Sequence, residues 1–165
     1  MSDEKKNGDL ETYLQDHSAG AIGAIELIEH LMKAHADEEL GDFFRGLHRE
    51  ITADHEQLRN VISALGFEES SVRNAGAWMA EKFARVKLGI TESGEQQLRL
   101  LQSLETIYVG IAGKRLLWRA LAAARDSSTV LRMTDFALLE QRAVEQAEEV
   151  ETRRLAVARR TLVPE

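Results

Sequence analysis

The sequence predicts an all-α protein: a four-helix bundle built from two antiparallel helical hairpins, which a long crossover containing a short helix joins. Three observations support this prediction. The only proline is Pro164, so no proline interrupts the chain before its end. Alanine, leucine, glutamate, arginine and glutamine are abundant, and all of them favour helices. Apolar residues recur at spacings of three, four and seven, which is the pattern of a helix with one buried face.

The length of 165 residues is typical of a single domain with a real core. Residues 1–8 are polar and are predicted to be a disordered lead-in, with the helical domain over 9–162. The absence of cysteine excludes disulfides and thiolate metal sites. No apolar run approaches the roughly 18 residues of a membrane span, so we expect a cytoplasmic protein without a membrane partner. The net charge of −7 argues against a nucleic-acid partner, because phosphates bind concentrated basic surfaces.

The first hairpin is predicted from two long amphipathic segments that a very short turn separates. The first helix is expected over 9–35 and the second over 38–65. Asp37 is the expected N-cap of the second helix, and Gly66 is its expected left-handed stop. Because so short a turn leaves no room for any other arrangement, the two helices should be antiparallel.

The rest of the chain is predicted to form a crossover and a second hairpin. A shorter helix is expected over 71–88, within a connection of about thirty residues, followed by long helices over 94–125 and 130–162. A helix of about 18 residues spans roughly 27 Å, which is enough to travel back along the bundle. The helices over 38–65 and 94–125 should therefore run parallel.

With this layout the chain resembles the ferritin-like superfamily from Asp9 to Leu162, because one long crossover between two helical hairpins is typical of that superfamily. Segments such as "AWMAEK" and "GKRLLWRAL" are similar to those of small bacterial members. The resemblance implies a bundle whose interior is able to hold a di-iron site.

The ligand motif of such a di-iron site is missing from the sequence. Ferritin-like di-iron proteins take a glutamate from each of two helices and a Glu-x-x-His from each of the other two. The residues three positions before the five histidines are Leu14, Leu27, Met32, Arg45 and Thr52. The helices predicted over 94–125 and 130–162 contain no histidine. We therefore expect a degenerate di-iron site.

Polar residues that interrupt the apolar lines are predicted to form one layer in the middle of the bundle. Two Asp-His dipeptides contribute to it differently, because helical phase turns His17 inward from the first and Asp54 inward from the second. The predicted layer consists of His17, Asp54, Glu105, Arg115 and Gln146.

Two interpretations of this layer remain open. In one, His17, Asp54 and Glu105 bind a divalent metal, because imidazole and carboxylates suit iron, zinc or manganese. In the other, Asp54 or Glu105 pairs with Arg115, because a buried charge must be paired.

The favoured function is a non-catalytic binding or structural protein, without a cofactor. The alternative is a metal-binding, metal-storage or oxidoreductase-type protein that uses a divalent metal in the reduced site. The amphipathic helix predicted over 71–88 carries Trp78, Met79 and Phe83, and it is a candidate surface for a homodimer.

Overall fold

The computed structural model describes residues 2–68 and 96–163, with side chains from residue 8 onward, and every regular element in these ranges is helical. The all-α prediction is confirmed. The elements are α1 (Ser2–Ala34), α2 (Glu39–Ala64), α3 (Gln96–Ala123), a 3-10 turn (Arg125–Ser127), α4 (Thr129–Met133) and α5 (Phe136–Leu162). The helix predicted over 71–88, with Trp78, Met79 and Phe83, lies outside the described residues. None of the described helices has an apolar stretch long enough to cross a membrane.

The N-terminal residues differ from the prediction of a disordered lead-in over 1–8. Helix α1 begins at Ser2 and continues without interruption to Ala34. The physical reason is that most of the first ten residues tolerate a helix. Only Gly8 and a few short polar side chains among them are poor helix formers. One glycine costs about 1 kcal/mol relative to alanine, and a helix that is already nucleated tolerates this cost.

The turn between α1 and α2 is tight, but its cap is not the predicted Asp37. Glu38 is the N-cap, with an extended backbone (φ −113°, ψ 160°), and its side chain does not cap the helix. That carboxylate instead lies 3.1 Å from Nδ1 of His35, which is buried. Gly41 then packs directly against the turn, because a Cβ built on it would lie 2.2 Å from the carbonyl oxygen of His35.

The end of α2 agrees with the predicted left-handed stop at Gly66, whose φ is +82°. The N–H of Gly66 donates to the carbonyl of Ser63 at 3.0 Å, and the N–H of Phe67 donates to the carbonyl of Ile62 at 3.2 Å. This pair of bonds is the Schellman motif, which satisfies carbonyls that the helix end would leave without partners.

The last predicted helix, over 130–162, is interrupted in the structure. The short α4 ends at Met133 and α5 begins at Phe136. The side chain of Asp135 accepts a hydrogen bond from the N–H of Leu138 at 3.1 Å, which makes Asp135 the N-cap of α5. An N-cap residue leaves the helical backbone conformation, so this local bond competes with a continuous helix and divides the predicted segment.

The core consists of two apolar clusters stacked along the bundle. The proximal cluster lies at the α1–α2 turn and includes Leu27, Leu31, Phe44, Leu47, Leu100, Leu104, Ile107 and Val157. The distal cluster lies at the other end and includes Leu14, Leu58, Ile62, Leu117, Trp118, Leu121, Leu131 and Phe136.

These two clusters determine the direction of each long helix. Both α2 and α3 enter through the proximal cluster and leave through the distal one, so they run parallel. Helices α1 and α5 run in the opposite direction. Glu68 and Gln96 therefore lie at opposite ends of the bundle.

Candidate functional site

A buried polar network lies between the two apolar clusters, and we call it the waist network: Asp54, Lys114, Arg142 and Gln146. Asp54 on α2 is fully buried. The Nζ of Lys114 on α3 donates to Oδ2 of Asp54 at 2.6 Å, and Nε2 of Gln146 on α5 donates to the same oxygen at 3.0 Å. Lys114 also donates to Oε1 of Gln146. The network thus ties three helices together at one level.

The fourth member, Arg142, gives the waist network a second cation. Its Nη2 lies 2.9 Å from Oδ1 of Asp54, although the two groups are not aligned as a hydrogen bond. Arg142 is 32 % exposed, so much of its charge stays hydrated. Asp54 is the opposite case, because its carboxylate has lost its water and depends on these neighbours for compensation.

Lys114 is the more deeply buried cation, with a side chain only 14 % exposed. Burial lowers the pKa of Lys114 below its usual value of 10.5, and the carboxylate of Asp54 opposes this shift. The charge of Arg142 adds to the lowering, whereas the charge of Glu50 acts against it. The amine is therefore held in a less protonated state than a surface lysine would be.

Two members of the predicted polar layer, Asp54 and Gln146, meet in the waist network, whereas Glu105 and Arg115 do not. Arg115 is 46 % exposed and its Nε lies 3.1 Å from Oε1 of Glu140. Glu105 is 50 % exposed and lies 3.4 Å from Nη1 of Arg154. Arg115 thus pairs with Glu140, and not with Asp54 or Glu105 as one interpretation of the layer expected, and Lys114 is the buried partner of Asp54.

Helical phase explains the difference. Leu98 and Tyr108 share one face of α3 with Glu105 and Arg115, and each of the two is 38 % exposed. The buried line consists of Leu100, Leu104, Ile107, Ile111, Trp118 and Leu121. Position 114 continues that line at helical spacing, so the pattern points to Lys114 once packing has selected this face of α3. Arg142 gave no such signal, because it precedes the buried Ala143 at the edge of the α5 line.

His17 lies at the same level on α1 but does not bond to the waist network. Its ring packs edge-on against Tyr13, with centroids 4.8 Å apart. Burial lowers the pKa of His17, and the charge of Asp16 opposes the shift. In the second Asp-His dipeptide, Nε2 of His55 lies 2.9 Å from Oγ of Ser18.

The predicted metal ligands His17, Asp54 and Glu105 do not form a group suited to a metal ion. In the described part of the chain, no three histidine, aspartate or glutamate side chains form a group suited to a metal ion. The physical reason is that the Lys114 ammonium binds Asp54, while Glu105 is half-exposed and pairs with Arg154. The residues at this level therefore do not fit a di-iron group.

A cavity of about 890 Å³ adjoins the waist network between α1, α2 and α3. We call it the waist cavity. Most of the described residues that line it are apolar or small, and its polar wall includes Lys114, Asp54, His17 and His55. A Cβ built on Gly110 or Gly113 of α3, which both line it, would meet no described residue within 4 Å. Among the described helices, none packs closely against these two glycines, contrary to the usual role of small residues between helices.

No protein-family model matches this chain, and neither the curated proteins nor the solved structures give a significant match. The function is therefore inferred from the waist network and the waist cavity.

Proposed function

We propose that this protein is a non-catalytic, ferritin-like helical bundle with a degenerate di-iron site, and that it binds a small, largely apolar molecule in the waist cavity. The parallel course of α2 and α3 supports the ferritin-like part, because two hairpins with one long crossover have this topology. The waist cavity is the observation that carries the binding role.

The waist network supports the loss of the di-iron site. A ferritin-like di-iron protein places metal ions among carboxylates in the middle of the bundle. Here the ammonium of Lys114 contacts Asp54 and the amide oxygen of Gln146, so a protein cation already neutralises the buried carboxylate. A divalent metal would have to displace that ammonium and lie close to Arg142, and both requirements oppose binding.

The waist cavity supports binding through its size, its wall and its glycines. Pockets for small molecules commonly measure about 300–1,000 Å³ and combine an apolar wall with a few polar groups. The cavity falls in this range, and Lys114 and His17 supply polar groups. Each glycine within α3 costs about 1 kcal/mol relative to alanine, yet no helix in the described part of the chain packs closely against Gly110 or Gly113. A ligand that occupies this space would explain why α3 contains these glycines despite their cost.

A neutral naphthyl alcohol, 2-naphthalenemethanol, tests the binding role. We expect the wild-type protein to bind one molecule, and Gly113→Leu to weaken binding at least about tenfold, or about 1.4 kcal/mol, because the new side chain occupies the waist cavity. Isothermal titration calorimetry measures both affinities.

The matched control is Gly46→Leu on α2. A Cβ at Gly46 also meets none of the described residues within 4 Å, but Gly46 does not line the cavity, so this variant should bind like the wild type. Equal affinity in Gly113→Leu and Gly46→Leu would remove the waist cavity as the binding site.

Elemental analysis tests the metal-binding alternative. Protein purified without a chelator should contain iron, zinc and manganese far below one equivalent, because Lys114 competes for Asp54. His17→Ala should leave these traces unchanged. A full equivalent of metal that disappears in His17→Ala would instead support the metal-binding or metal-storage function.

A homodimer is part of the same proposal. Leu116 on α3 is 62 % exposed and Leu138 on α5 is 56 % exposed. Burial of these apolar side chains against a second copy of the chain would remove them from water.

A further inference from the structure

We propose that Lys114 forms a covalent imine with a small apolar aldehyde that binds in the waist cavity. This inference rests on the proposed binding function and adds to it the chemical class of the ligand. It concerns a reactive amine that the bundle places in an apolar wall.

The geometry around Lys114 leaves part of the amine available. Its Nζ donates to Asp54 and to Gln146, and an ammonium carries three N–H groups. Lys114 also lines the waist cavity, so a ligand there lies next to the same side chain. Burial lowers the pKa of this amine, although Asp54 opposes the effect. A desolvated lysine of this kind is the usual nucleophile for imine formation.

The charges in the wall favour a neutral carbonyl ligand over a carboxylate. Asp16, Asp54 and Glu105 all line the waist cavity, and Lys114 is the one cation among its described lining residues. An anionic ligand would meet these carboxylates, and its own desolvation would add to the cost. A neutral aldehyde brings an electrophilic carbon to Lys114 without burying another charge.

The ion pair of Lys114 and Asp54 supplies and takes back the proton that imine formation requires. The ammonium of Lys114 first gives a proton to Oδ2 of Asp54, at 2.6 Å. The free amine then forms a bond to the carbonyl carbon, and the carbonyl electron pair moves to the oxygen, which takes up the proton that the nitrogen releases. The resulting carbinolamine loses this hydroxyl as water, with the proton held by Asp54. The product is a protonated imine beside the restored carboxylate, so the buried pair keeps its charges.

Reductive trapping tests this inference. The wild-type protein is incubated with 2-naphthaldehyde and sodium cyanoborohydride, which reduces an imine to a stable amine, and peptide mass spectrometry locates the label. We expect Lys114 to be labelled at least about tenfold faster than the exposed Lys33, a difference of about 1.4 kcal/mol in barrier converted at room temperature.

The variant Gly113→Leu keeps Lys114 and fills the space beside it. Labelling of Lys114 should fall to the rate of Lys33, while Lys33 itself reacts as in the wild type. Unchanged labelling of Lys114 in this variant would overturn the role of the waist cavity. Lys114→Met should lose the fast-labelled site and retain the slow labelling of Lys33.

The naphthyl alcohol separates failure of this inference from failure of the proposed function. If the alcohol binds the wild type but the aldehyde labels Lys114 no faster than Lys33, the imine is excluded and the binding function stands. If the alcohol does not bind and the aldehyde does not label Lys114 selectively, both proposals are wrong.

Discussion

Asp54→Ala is expected to lower the free energy of unfolding by about 3–5 kcal/mol, because it leaves the buried Lys114 without its anion. Arg142 is less affected, since it is already partly hydrated. Urea unfolding followed by circular dichroism measures the change. The matched control is Glu105→Ala, which removes an exposed carboxylate from the same level of the bundle and should cost less than about 1 kcal/mol. Similar losses in the two variants would contradict the buried role of Asp54.

The pH dependence of Asp54→Asn identifies the cause of the loss. The carboxylate of Asp54 is the largest influence that holds the pKa of Lys114 up, so that pKa should fall further in the variant. The folded state then binds fewer protons than the unfolded state, and stability rises with pH up to the ordinary pKa of lysine. The deficit of the variant should therefore shrink as the pH rises toward about 10, the ordinary pKa of lysine. A deficit independent of pH would indicate lost packing and not an uncompensated ammonium.

Gly41→Ala is expected to destabilise the protein by about 3 kcal/mol, the upper end of the usual cost of overpacking. The added Cβ would lie 2.2 Å from the carbonyl oxygen of His35 and 3.2 Å from that of Ala36. Both neighbours are backbone atoms of the α1–α2 turn, so relief requires movement of the turn itself. Thermal and urea unfolding both report the loss.

The control for this substitution lies on the same helix. Gly46→Ala adds the same methyl group where no residue that the structure describes lies within 4 Å, and it should raise stability by about 0.5–1 kcal/mol through helix propensity. The two glycines should thus respond with opposite signs. A stabilised Gly41→Ala would show that the turn relaxes without cost.

The sequence was most informative where one helix alone decides the outcome. The apolar line Leu47, Ile51 and Leu58 correctly predicts that Asp54 faces the core, and Gly66 correctly predicts the end of α2. Asp135 is a strong N-cap residue, but its effect inside a long helical pattern depends on whether the backbone there is free to leave the helix. Tertiary packing decides whether the backbone can leave the helix there, and the spacing of apolar residues does not show it.

The partner of Asp54 was harder to predict because it depends on how three helices rotate against each other. Helix α3 carries apolar side chains around most of its circumference, with Leu116 exposed and Leu117 buried. Its sequence therefore does not define one buried face, and the neighbouring Lys114 and Arg115 were both possible partners. Packing against α2 and α5 selects Lys114.

The waist network also determines how the helices are aligned with each other along the bundle axis. A helix that is apolar on many sides would pack almost as well if it slid by one turn, or about 5.4 Å. Such a slip would separate Lys114 from Asp54 and leave a buried charge without a partner. This cost excludes the shifted arrangement, even though the shifted helix would lose little apolar contact. The ion pair thus specifies the axial register of the helices, and its main contribution is a single native alignment of α2, α3 and α5.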